Sequence, residues 1–277
     1  MVYGDLHVHT KASDGLLELE EVVEEANRKG LKAIAITDHD VIHPNLEERV
    51  ERRSDLEIIT GVEVKTIHKG TRAEILCYFL DPENNGLETL LEEMRTKRIE
   101  RMERMVERFN SLEKGAQLTI GDVKKHAEGS VGRPHFARAI VEKGFAEESQ
   151  AFDEYAKRGT SYYVPLEKPE TEEVIRRAKE SGAFVSLAHP CNEEIKNPKK
   201  FIKDLKDLGL HGCEVHYPYN NSTKDLHLNP NKVKKIAGEL GLIETGGSDF
   251  HDKESFTMGS AGISKETLKK MKRSVGL

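Results

Sequence analysis

His7 and His9 are separated by one residue within YGDLHVH (3–9), a run that reads as a strand, so both imidazoles point to the same face. Two imidazoles at that spacing can chelate one metal ion. Further donors recur where other apolar runs give way to loops. Asp14 follows in the loop before the first helix, and His39 lies in TDHD just past KAIAIT (32–37). Glu63 ends the run LEIITGVEV (56–64), and Glu74 opens AEILCYFL (73–80). His189 closes AFVSLAH, where the following Pro190 is expected to hold it extended. Asp249 and His251 repeat the one-residue separation in GGSDFH. A lone H-x-H is a weak signal. The recurrence of HVH, TDHD, AHP and SDFH at strand exits is a strong one, because converging carboxylates and imidazoles without a cation would repel or stay unsatisfied. The pattern predicts a metal centre, with every donor but Glu74 near the C-terminal ends of strands, the face on which barrel enzymes place their chemistry.

Regular elements must bring these residues together. LLELEEVVEEANRKG (16–30) places Leu16, Leu19, Val22, Val23 and Ala26 on one helical face, and Gly30 stops it. Alternation of such segments with short apolar runs predicts parallel strands joined by crossover helices. The rhythm breaks at 86–109, where Leu87, Leu90, Leu91, Met94, Ile99, Met102, Val106 and Phe109 fall on roughly one side of a long charged helix. Its alternating charges read as a solvated face. Short helical segments follow to about Pro165, and strand–helix alternation resumes with 171–182 and 183–190. At least seven strand candidates predict an α/β fold close to a (β/α) barrel. The barrel is expected over 1–83 and 167–277, with a helical insertion at 84–166.

Composition narrows the function. The chain has 277 residues, with 43 Lys and Arg against 49 Asp and Glu, a net charge of -6. No global positive field attracts nucleic acid, so an anionic partner needs a local positive site. Trp is absent and aromatics are 6%, which argues against a base-stacking platform. Cys77, Cys191 and Cys213 are scattered without a C-x-x-C, so neither a disulfide framework nor a thiolate zinc site is indicated. No run approaches the length of a transmembrane helix. MVYGDLHVHT lacks the basic-then-apolar pattern of a signal peptide, and a cytoplasmic chain is expected.

DLHVHTKASDG, AITDHD, GVEV, SLAHP and GSDFH resemble, in order, the motifs of the PHP superfamily, named for polymerase and histidinol phosphatase. The resemblance covers nearly the whole chain. It implies a distorted (β/α)7 barrel with two or three divalent metal ions at its mouth. Within the superfamily the chain is most similar to stand-alone phosphoesterases with a helical insertion, which include nucleoside 3',5'-bisphosphate phosphatases and 5'-to-3' exoribonucleases on short RNA. Carried over by motif, one ion falls to His7, His9, Glu63 and Asp249. A second shares Glu63 and takes His189 and Glu74, and a third uses Asp14, His39 and His251. Members usually have His where this chain has Glu74, and a carboxylate there favours Mn or Fe over Zn.

The implied reaction is hydrolysis of a phosphate ester by a metal-bridged hydroxide. The implied substrate is a small anionic nucleotide or a short RNA 5' end, with no membrane and no obligate protein partner. Arg133 and His135, in GRPHFAR (132–138), are the candidate phosphate contacts of a lid, since a guanidinium offers paired donors to phosphate oxygens. His216, in EVHYP, or a water on the third ion is the candidate acid for the leaving group. The alternatives are a histidinol-phosphate phosphatase-like monoesterase and a metal-binding scaffold without activity. Asp5 shares strand parity with His7 and His9, which suits either orienting a ligand histidine or a buried salt bridge. Asp38 and Asp40 read as loop or cap residues, and His43 as a residue that could face the mouth.

Overall fold

The computed structural model describes residues 2–219, 226–252 and 257–277. Strand β1 (Gly4–Val8) leads through helix α1 (Leu19–Arg28) into the parallel strand β2 (Ala33–Ile36). Glu18 and Glu21 form a reciprocal cap at the start of α1, which buries Leu19, Val22, Val23 and Ala26. Leu16, expected on that face, precedes the helix and is exposed. A short strand absent from the sequence reading, β3 (Val50–Arg53), lies antiparallel on β4 (Leu56–His68), which itself runs parallel to β2.

Strand β5 (Thr71–Tyr78) departs from the expected βαβ rhythm. It pairs antiparallel with β4, His68 opposite Thr71, because only Lys69 and Gly70 separate the two strands. Both residues have positive φ, 49° and 79°, the geometry of a tight hairpin turn, and a link that short cannot cross over. Glu63 consequently stands well inside a thirteen-residue strand that projects beyond the barrel mouth, rather than at a strand end. Register also sets Lys65 directly opposite Glu74.

The chain then runs through α2 (Glu88–Leu112), α3 (Ile120–Lys124), α4 (Arg133–Glu142), α5 (Glu148–Ala151) and a π-helical turn at Phe152–Ala156. These helices share an apolar cluster centred on Phe109, whose ring meets Phe136, Phe145 and Tyr155 edge-on. Alternation resumes with α6 (Thr171–Glu180), β6 (Phe184–Leu187), α7 (Pro198–Leu208), β7 (Gly212–His216), α8 (Pro230–Glu239), β8 (Ile243–Gly246) and α9 (Lys265–Ser274).

Seven strands follow the path β1-β2-β4-β5-β6-β7-β8. All pairs along it are parallel except the two made by β5. The ends of the path meet through isolated bridges, Gly4 to Ile263 and Val8 to Phe250, rather than a full ladder. This is the distorted barrel that the resemblance implied. Cys77, Cys191 and Cys213 are buried and free, in keeping with the absence of a disulfide pattern. Among the described residues no helix is long and apolar enough to cross a membrane.

Candidate metal centre

Nine donors read from the sequence converge at one end of the barrel. Glu63 is their hub: its carboxylate lies 3.4 Å from His7 Nε2, 3.5 Å from His9 Nε2, 3.0 Å from His39 Nδ1 and 3.1 Å from His189 Nε2. Asp249 Oδ1 stands 3.3 Å from Nε2 of both His7 and His9. At the other side of the basin His251 Nε2 is 3.2 Å from Asp14 and His39 Nε2 is 3.7 Å from it. Glu74 reaches His189 at 3.9 Å. The donors form overlapping groups able to hold an ion: His9–Asp14–His39–His251, His7–His189–Asp249, His7–His9–Glu63 and His39–Glu63–Glu74.

The residues present fit a set of divalent cations. His7 Nε2, His9 Nε2 and His39 Nδ1 are buried and make no hydrogen bond, although each faces a carboxylate. Orphaned ring nitrogens in a buried basin of carboxylates are the donors a cation satisfies.

A second layer of side chains aims these donors. Glu214, fully buried on β7, meets His7 Nδ1 at 3.1 Å and accepts the His189 N–H at 2.9 Å. The backbone of His189 is turned (φ 17°, ψ 59°) and Pro190 opens a 3-10 turn, so the extended conformation expected there is not adopted. That turn brings the His189 N–H to Glu214. Tyr217 donates its hydroxyl to Asp249 Oδ2 at 2.9 Å. Asp5 meets no cation, but its Oδ1 accepts the backbone N–H of His7 at 3.3 Å, so it touches a candidate ligand histidine through the main chain. It accepts from Ser248 N and Gly259 N, both at 2.8 Å, and so holds the loop that carries Asp249. Burial pushes Asp5 up to about 6 against the hydrogen bonds that lower it. Asp38 takes Thr10 N at 2.8 Å and Ser13 Oγ at 2.6 Å, which fixes the loop before Asp14. Gly247 allows this loop its approach, since a Cβ there would lie 2.4 Å from His7 Cβ.

Charge inside the basin is strongly coupled. Burial raises Glu63 and Asp249, but the field of His7 and further imidazoles outweighs it and holds both well below the usual carboxylate range. Burial depresses His9 to about 4, with the charge of His251 acting in the same direction. Burial also opposes charge on His189 and His251. The Glu63 contact for the first, and the fields of Asp14 and Asp249 for the second, prevail and raise each to about 9. In the metal-free protein these two rings therefore keep a proton at neutral pH that a metal must displace. Manganese binding is expected to release protons, and its affinity to rise as pH climbs from neutrality toward about 9. Calorimetry in buffers of different ionisation enthalpy measures this, and binding heats independent of buffer contradict it.

The remaining candidates divide. Arg133 lines a cavity of about 280 Å3 together with Asp14, His39, Glu63, His189, Asp249 and His251. Its guanidinium lies over the Phe152 ring at 5.1 Å. His135 does not reach this cavity's lining; its Nδ1 accepts the Gly132 N–H at 2.8 Å and caps α4. His216 is not brought to the centre either. A register shift between Glu214 and His216 turns it outward, where Nε2 lies 3.2 Å from Glu244. His43 faces a separate cavity with Glu18 and Asn45.

Sequence reasoning missed the other cations of the cavity: Lys65, Arg72, Arg98, Arg101 and Lys168. Arg98 and Arg101 belong to the helix face expected to be solvated, yet both are buried. Arg98 donates to Asp40, and Arg101 to the Val164 carbonyl at 2.7 Å. Burial lowers Arg101 to about 10, which leaves it charged at neutral pH. Glu214 was also missed. Its signal was an acid in the otherwise apolar run GCEV.

A basin of imidazoles and carboxylates at a barrel mouth, in a cavity also lined by arginines and lysines, defines a metal-dependent hydrolase of phosphate esters. The chain belongs to the PHP domain family, whose model matches residues 5–168. It is 32% identical over 252 residues to a 5'-3' exoribonuclease of Haemophilus influenzae, covering 89% of each chain. It is 27% identical to a 3',5'-nucleoside bisphosphate phosphatase of Chromobacterium violaceum, over 89% of this chain and 86% of that one. A solved structure from Bifidobacterium adolescentis, assigned as a metal-dependent phosphoesterase, superposes with a TM-score of 0.84 at 27% identity, covering 98% of this chain and 95% of that one.

Proposed function

We propose that the chain hydrolyses a phosphate ester in a nucleotide that carries a second phosphate, the substrates being nucleoside 3',5'-bisphosphates and the 5' ends of short RNA. The observation that carries this is a single cavity lined both by the candidate metal donors and by Arg72, Arg101, Arg133 and Lys168. Divalent ions held by the donors supply charge neutralisation for a phosphate and acidify water. The mixed set of imidazoles and carboxylates suits Mn or Fe. The chain's own residues do the rest. Glu214 and Tyr217 hold His7, His189 and Asp249 in place, and the guanidinium of Arg133 offers paired donors to the second phosphate. The insertion at 84–166 acts as a lid, and a chain of net charge -6 thereby holds an anion through a local positive site. Histidinol phosphate, which carries a cationic amine, would bring that amine into a cavity already lined by these cations and fits it less well.

A groove of about 760 Å3 continues from the cavity, sharing Arg72, Tyr163 and Lys168 with it, and supports RNA as well as mononucleotide substrates. With manganese present, product release is expected from adenosine 3',5'-bisphosphate and from a 5'-phosphorylated trinucleotide. Release from histidinol phosphate alone would overturn the reading. Arg133→Ala is expected to raise KM about tenfold for the bisphosphate, the loss of one charge-assisted contact of about 1.5 kcal/mol. An aryl phosphate should be little affected, and equal changes for both would make Arg133 a structural arginine.

A further inference from the structure

We propose that the ammonium of Lys65 is a built-in cation of the metal basin, filling the His39–Glu63–Glu74 group in place of a divalent ion, so that the enzyme works with two ions and one lysine. The proposal rests on the phosphoesterase reading above and specifies the charge arrangement of that site.

The placement follows from the hairpin. Glu63 and Lys65 are two apart on β4 and share a face, and the antiparallel register puts Glu74 of β5 beside Lys65 on that same face. Lys65 Nζ lies 3.0 Å from His39 Nε2 and 3.7 Å from Glu74 Oε2. His39 and Glu74 are two of the three donors in this group. An ammonium donates and never accepts, so its contact occupies the lone pair of His39 Nε2 and leaves that ring only Nδ1, which faces Glu63, for an ion. A divalent ion bound to His39 and Glu74 would have to displace the ammonium or sit against it.

Charge points the same way. Four carboxylates face the basin, those of Asp14, Glu63, Glu74 and Asp249, and match the charge of two divalent ions. A third ion beside Lys65 would leave a positive excess in a cavity that already holds Arg101, Arg133 and Lys168. Of the other groups, His7–His189–Asp249 and His7–His9–Glu63 share His7 and serve one ion, and His9–Asp14–His39–His251 keeps His9, Asp14 and His251 for the second while the ammonium sits on His39 Nε2. The side chain of Lys65 is 26% exposed and lines the cavity. Of its three N–H groups, two face His39 and Glu74, and the third is available to a phosphate oxygen. Lys65 is thus assigned as a contact to the substrate phosphate as well as a substitute for an ion.

Counting bound manganese tests this without reference to turnover. The full chain, saturated with manganese and freed of excess by gel filtration, is analysed by elemental mass spectrometry and by the paramagnetic signal of the bound ion. Wild type is expected to hold two ions per chain. Lys65→Ala should hold three, and Lys65→Met, which keeps the apolar stem and removes the charge, should also gain one ion. Lys65→Arg should stay at two. A wild-type count of three, or unchanged counts in both the Ala and Met variants, overturns the proposal and leaves the phosphoesterase reading standing. A wild-type chain that binds no manganese overturns both.

Discussion

Glu63→Gln is expected to lower kcat/KM by about a thousandfold while the protein stays folded. The side chain touches four imidazoles, those of His7, His9, His39 and His189, within 3.5 Å. No other carboxylate in the basin reaches as many. An amide of the same shape keeps one acceptor oxygen but loses the charge that lets both oxygens bind cations, and it turns an N–H toward one of them. Metal assistance contributes several kcal/mol to the transition state, and about 4 kcal/mol corresponds to a thousandfold. Manganese content should fall with activity, whereas the circular dichroism spectrum should match that of wild type. Turnover at the wild-type level would rule out a bridging carboxylate at this position.

Arg98→Met should produce the largest loss of stability. Arg98 Nε meets Asp40 Oδ2 at 2.5 Å, and the two side chains are 5% and 0% exposed. Asp40 adjoins His39 in the loop after β2 and sits at φ 55°, so this contact ties α2 to the loop that carries a metal donor. Removing one partner leaves a buried carboxylate without its cation, at a cost of about 3–5 kcal/mol. For a chain of this size that corresponds to a fall in Tm of roughly 10 °C. Asp40→Asn added to Arg98→Met should recover part of the loss, because the remaining group is then neutral. A drop of less than about 1 kcal/mol in the single variant would show that water or another group satisfies Asp40. Scanning calorimetry on the three proteins reads both effects.

The convergence of imidazoles and carboxylates was legible in the sequence because strand geometry is local. A one-residue separation on a strand puts His7 beside His9, and a donor at the end of an apolar run lies at a barrel rim whatever its neighbours are. The helix over 19–28 and most strands were legible for the same reason, since their apolar periodicity reports burial directly. The hairpin of β4 and β5 was missed. Its two apolar runs fit the βαβ rhythm, and only the brevity of the Lys69–Gly70 link excludes a crossover. His216 was misplaced by a shift in strand register, a feature that parity alone cannot register. Arg98 and Arg101 were read as solvated because a charge on a long helix looks the same whether it faces water or a buried acceptor.

By itself, then, the amino-acid order determined the candidate donors, the family and the alternation of strands and helices, all of which depend on neighbours a few residues apart. Only the tertiary structure decided which cations face those donors: Lys65 through an antiparallel pairing, Arg98 and Arg101 through the side of α2 that packs inward. The reason is physical. A charged side chain pays its desolvation cost only where a partner from a distant segment meets it, and that meeting is made by packing rather than by local sequence.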